Sequence, residues 1–224
     1  EGRLYEVDMR LRPAGNAGPI ASSLEAFTKY QHADAWTWEY QALTRARVVC
    51  AEGDLGTRFE DVMQSVLTTP RDGQKILADV GEMRERLRKE HRTSDVWSVK
   101  HLEGGLVDIE FIAQYLQLRH AAAYPDILAG DTMSVLLRAR DLGLIDRKPA
   151  DDLIEAVRLW RNLQGILRLT VEGSINAETA APALKTVLAR ACGMVDFDAL
   201  VQTMQATAGR TKAHFDAVFP PAAS

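Results

Sequence analysis

The sequence predicts a mainly α-helical protein, a helical bundle preceded by one strand and two helices of a different unit. Three observations carry that reading. Apolar residues recur at spacings of three and four through most of the chain, the period of a helix that buries one face. Only Leu4–Pro13 alternates at period two. Between these patterns lie Gly, Pro and Asn residues that break both.

The strand comes first. Glu6, Asp8, Arg10 and Arg12 share one face, while Tyr5, Val7, Met9 and Leu11 share the other. Pro13 ends the ladder because it has no N–H to donate. An edge of carboxylates followed by guanidiniums suits metal ions that hold a polyphosphate, the acids binding the cation and the Arg forks binding phosphate oxygens. A lone strand has no stable existence, so its sheet is expected upstream in a longer protein.

After a turn-rich loop, Ala14–Pro19, Ser22 and Glu25 form a capping box that opens a helix through Leu24, Phe27 and Tyr30. A second helix is expected from about Trp36 to Cys50, with Trp36, Trp38 and Tyr40 in the core. Helices follow over Phe59–Leu67 and about Gln74–His91, the latter ending in a charged run from Arg84 read as a solvated face. Val96–Lys100 reads as extended and leads into Gly104-Gly105 and a helix Leu106–His120. Asp131 caps a helix ending at Gly143. Pro149 sits near the first turn of a long helix on which Leu153, Val157, Trp160, Leu163 and Leu167 form one stripe, ending at Gly173. Two more helices cover about Thr179–Cys192 and Asp196–Phe219. Gly193–Asp198 imitates a metal-binding Gly-x-x-Asp-x-Asp hairpin, but Asp196 precedes a helical periodicity and reads as an N-cap.

Composition narrows the function. A net charge of −4 and a pI near 5.8 argue against nucleic-acid binding, which normally shows a basic excess. No apolar run approaches the roughly 20 residues of a membrane helix, and no signal peptide is evident, so a cytoplasmic protein is expected. Cys50 and Cys192 have no metal-type spacing and read as reduced, packed thiols.

Four ordered motifs carry a resemblance. LYEVDMRLRP, GNAGPI, AWTWEYQALTRARVV and KHLEGGLVDIEFIAQYLQL resemble the C-terminal half of the bifunctional glutamine synthetase adenylyltransferase/adenylyl-removing enzymes, over essentially the whole chain. The resemblance implies that residues 1–55 close a polymerase β-like nucleotidyltransferase domain. It also implies that residues 70–224 are the all-α domain shared with PII-uridylyltransferases. It implies transfer of AMP from ATP to a tyrosine of glutamine synthetase, with Mg²⁺ as cofactor and with glutamine synthetase, and the nitrogen-regulatory PII protein, as partners. Asp8 matches the third metal-binding aspartate of such a palm. The first two, on a Gly-Ser-x-Asp-x-Asp hairpin, occur nowhere in these residues, so the chain alone is expected to be inactive.

On this reading Asp8 is catalytic and a metal ligand, binding the metal at the nucleophile and taking the tyrosine proton. Arg10 and Arg12 share its face and contact nucleotide phosphates, or pair locally. Arg45 and Arg47 reach phosphate, or favour the C-terminal end of their helix. Gly104 and Gly105 offer N–H groups to an anion, or simply make a tight turn. With Lys100, Glu103, Asp108 and Glu110 they form a secondary candidate site whose competing reading is interdomain packing. Two other readings stay open: a non-catalytic helical module that docks glutamine synthetase or PII, and a PII uridylyltransferase.

Overall fold

Side-chain caps set where several of the helices begin in the computed structural model, which describes residues 8–9, 12–13, 15–171 and 175–220. Helix α1, Leu24–Ala33, starts at Ser23, whose Oγ accepts from the Ala26 N–H at 3.2 Å. The cap thus falls one residue after the expected Ser22. Helices α3, Leu55–Leu67, and α4, Gly73–Glu90, follow. Asp72 caps α4 by accepting from the Gln74 and Lys75 N–H groups. Helix α5 is Leu106–His120 and α6 is Thr132–Asp141. Helix α7 is Arg147–Thr170, α8 is Pro182–Ala191 and α9 is Phe197–Val218. Asp131 and Asp196 cap α6 and α9 through Ser134 N–H at 3.0 Å and Ala199 N–H at 2.7 Å. The hairpin-like Gly193–Asp198 is therefore a helix start, as its periodicity indicates.

The fold is mainly α-helical, and the described residues contain no strand. Most of the expected strand Leu4–Pro13, Arg10 included, lies outside the described residues, as does Gly173 at the expected end of α7. Two other expectations need correction. Helix α2 is only Thr37–Leu43, seven residues short of Cys50. The Thr44 hydroxyl donates to the Gln41 carbonyl, and the Arg45 and Ala46 N–H groups donate back to the Ala42 and Leu43 carbonyls, so tight turns replace the helical ladder. Val96–Lys100 is not extended but a run of turns. The Asp95 carboxylate accepts from Trp97 N–H and its carbonyl from Ser98 N–H, which curls the chain.

Helix α5 is the centre of the bundle. It packs against α2, α4, α6, α7 and α9 and buries apolar side chains all round, including Ile109, Ile112, Leu116 and Leu118. A helix without a polar face is the expected solution for such a position. The α7 stripe Leu153, Val157, Trp160 and Leu163 is buried to zero exposure. Trp97, in the turn before α5, stacks on Phe197 at the start of α9, with centroids 5.4 Å apart.

Candidate functional site

The loop that carries Asp8 is organised by its own backbone. Arg12 donates from Nη1 to the Met9 carbonyl and from Nε to the Gly18 carbonyl at 3.4 Å. A 3-10 turn, Gly15–Ala17, bridges these ends, with Gly15 at φ +52°, a region glycine enters without cost. The Arg12 guanidinium therefore faces carbonyl oxygens rather than standing as an open fork. Asp8 and Met9 are exposed and belong to neither helix nor strand. Among the described residues no three His, Cys, Asp or Glu side chains come together as metal ligands. Asp8 offers one hard oxygen donor, compatible with Mg²⁺, which proteins commonly hold through one or two carboxylates plus water and phosphate. That is a fit to one ligand of a larger set.

Helix α2 seats this segment on the bundle. Its Tyr40 ring lies under the Arg71 guanidinium at 4.1 Å, and Gln41 Nε2 donates to Gln114 Oε1 on α5 at 2.8 Å. Thr37 donates to the Asp79 carboxylate on α4, which also takes Lys75 Nζ at 2.6 Å. Burial alone would raise the Asp79 carboxyl, but these hydrogen bonds outweigh it and hold it low. Just past α2, Arg45 pairs with Glu110 of α5 at 2.8 Å. Two candidate residues, Arg45 and Glu110, are thus brought together and neutralise one another across the seam. Arg47 and Lys100 remain exposed, with no ion pair among the described residues. Trp36, expected in the core, is 70% exposed because it is the N-cap of α2, its N–H bonded to the Glu39 carboxylate at 2.9 Å.

The Gly104-Gly105 turn is a buried junction. Gly104 adopts φ +79°, and a Cβ there would lie 2.0 Å from the Ala208 carbonyl oxygen of α9. A Cβ on Gly105 would lie 2.5 Å from the Val99 oxygen. Both positions demand glycine for space. Their N–H groups are engaged internally: Gly104 donates to Asp108 Oδ2 at 2.5 Å and Gly105 to the Leu102 carbonyl at 2.8 Å. The expected anion contact at these amides is thereby corrected. The Gly104 carbonyl accepts from Trp160 Nε1 at 3.1 Å, so the turn also bonds α7.

Asp108 completes the junction. Its Oδ1 takes Arg84 Nε at 2.5 Å, and both side chains are at most 5% exposed. Burial pushes the Asp108 carboxyl up, with the Arg84 guanidinium and the Gly104 N–H pulling against it. The charged run predicts a solvated face for Arg84, which the structure corrects, because the side chain is buried. Its phase with Ile76, Val80 and Leu87 is the signal that places it inward. Glu103 pairs with Arg88 of α4 at 2.7 Å.

Two families match parts of the chain. Residues 1–62 match the glutamate-ammonia ligase adenylyltransferase family, and residues 74–219 match the GlnD PII-uridylyltransferase family. Curated relatives align over nearly all of it. A bifunctional glutamine synthetase adenylyltransferase/adenylyl-removing enzyme of Xanthobacter autotrophicus is 44% identical over 99% of the chain. Proteins of the same description from Rhodopseudomonas palustris (strain HaA2) and Bradyrhizobium diazoefficiens are 50% and 46% identical over 96% and 97% of it. The chain spans 22% of the length of each of these relatives.

Proposed function

This chain belongs to the family of bifunctional glutamine synthetase adenylyltransferase/adenylyl-removing enzymes, and from that premise we propose that it forms the C-terminal part of the adenylylating half. In that role it closes a nucleotidyltransferase domain with residues 1–55 and follows it with a helical domain, residues 70–224. The observation that carries the proposal is the identity with such enzymes over 99% of the chain, with residues 1–62 matching the adenylyltransferase family. The reaction proposed is attack of a tyrosine hydroxyl of glutamine synthetase on the α-phosphorus of ATP. It forms the O–P bond of an AMP ester and releases pyrophosphate.

Transfers of this type ask the protein chiefly for positioning and charge stabilisation. Asp8 holds Mg²⁺ in the assembled site and accepts the tyrosine proton. Mg²⁺, when bound, offsets the negative charge that develops on the phosphates. Arg10 and Arg47 contribute positive charge toward the nucleotide. Arg12 closes the loop behind Asp8, and Arg45 fixes the segment to α5 through Glu110. No Gly-Ser-x-Asp-x-Asp occurs in these residues, so this chain alone transfers no AMP. The test is transfer of labelled AMP to glutamine synthetase by a protein that carries the upstream residues as well. Asp8→Asn should abolish transfer while leaving the helical melting transition unchanged, and full activity of that variant refutes the assignment.

A second reading has its own support in the match of residues 74–219 to the GlnD PII-uridylyltransferase family. On it the bundle docks glutamine synthetase or PII without itself reacting. Retention of either protein by this inactive chain, at the same affinity with Asp8→Asn, is the expected result. Uridylyl transfer to PII is disfavoured by the adenylyltransferase match of residues 1–62, and a preference for UTP over ATP would restore it.

A further inference from the structure

An open cavity of about 670 Å³ lies between the C-terminal end of α4 and the turns that lead into α5. Its two carboxylates are already engaged: Arg88 pairs with Glu85 at 2.9 Å and with Glu103 at 2.7 Å. Positive groups are left over. Arg92 has no ion pair among the described residues, and Lys89 reaches Glu85 only at 3.8 Å. The rings of His91 and His101 stand 4.2 Å apart, and the Ser94 hydroxyl lines the same space. The cavity thus offers a guanidinium, an ammonium, two imidazoles and a hydroxyl, while both carboxylates that line it are held in ion pairs with Arg88.

From this geometry we infer that the cavity binds an oligophosphate anion, with Arg92, Lys89 and the His91–His101 pair as its donors. Guanidinium and imidazolium N–H groups match the tetrahedral oxygens of phosphate, and donors from both sides of a cavity this size suit more than one phosphate group. The surroundings of His101 agree. Burial holds its imidazole below the ordinary range, and His91, Lys100 and Arg84 push the same way against Glu110 alone. A bound anion reverses that balance, so binding strengthens as pH falls and the imidazole gains its proton. The inference does not depend on AMP transfer, and its readout is not enzymatic.

The experiment is imidazole NMR of the 224-residue chain across pH, with inorganic pyrophosphate, orthophosphate or ATP added. Pyrophosphate should move the His91 and His101 signals, leave those of His32, His120 and His214 in place, and raise the His101 midpoint by about half a pH unit or more. Arg92→Gln should weaken pyrophosphate about tenfold, the effect of one charge-assisted hydrogen bond. Lys89→Gln provides a second exposed variant, with circular dichroism confirming the fold of each. ATP binding as tightly as pyrophosphate identifies the ligand as a nucleotide, and pyrophosphate alone identifies a free inorganic anion. Equal movement of all five histidines, no movement, or undiminished binding by both folded variants overturns the site.

Discussion

Arg84 and Asp108 show how much one residue's surroundings can hide from its sequence. Arg84 stands in a run of alternating charges that reads as solvated, and only its phase with Ile76 and Val80 betrays its burial. Asp108 is legible as a special position after two glycines. That one oxygen serves Arg84 and the other the Gly104 N–H depends on contacts that no local pattern encodes. Removing one partner of such a pair is far costlier than removing both, because it strands a charge in a place without water. Asp108→Ala should destabilise the chain by about 3–5 kcal/mol, read from urea midpoints at constant m-value. The double variant Arg84→Met/Asp108→Leu should lose less than Asp108→Ala, although the Gly104 N–H stays unpaired. A loss under about 1 kcal/mol for Asp108→Ala, the scale of an exposed pair, would show that water reaches this site.

At the scale of elements, starts were easier to read than ends. An N-cap is a single side chain acting on N–H groups two or three residues on, so Asp131 and Asp196 announce α6 and α9 directly. The end of α2 depends instead on a competition between helix and tight turns after Thr44, while the aromatic spacing of Trp36, Trp38 and Tyr40 suggests a longer helix. The turns at 96–100 have a related cause. Val96, Trp97 and Val99 favour strands in the abstract, but Asp95 captures the backbone first. Asp196→Ala should cost about 1 kcal/mol and Asp196→Ser much less, measured by thermal melting. Equal losses for both would mean that Asp196 acts as something other than a cap.

For the molecule as a whole, periodicity tells which face of a helix is apolar but not which neighbour covers it. The central place of α5 therefore comes from the packing, because Asp108, Glu110, Gln114 and Gln117 interrupt its apolar residues and no apolar run marks it for burial. The candidate site divides in the same way: the role proposed for Asp8 rests on its motif, whereas the Arg45–Glu110 seam joins residues too far apart in sequence to be paired by inspection. Helices α7 and α9 are linked by Asp152, which accepts from His214 at 3.0 Å and from Lys148. Burial would raise the Asp152 carboxyl, but those two hydrogen bonds outweigh it and hold it below its unfolded-state value. Above that value the native state gains stability from the ionised group, and the gain disappears as pH falls through the depressed one. Stability should therefore drop on acidification below about pH 4, and Asp152→Asn should flatten that part of the curve in urea titrations. An unchanged slope would exclude Asp152 as a source of acid sensitivity. On a ribosome, Gly104 emerges about a hundred residues before the Ala208 carbonyl that will close over it, a long-range contact of the kind that slows folding. Until α9 arrives, nothing covers that side of the turn, so its sealing waits on a helix made long after it.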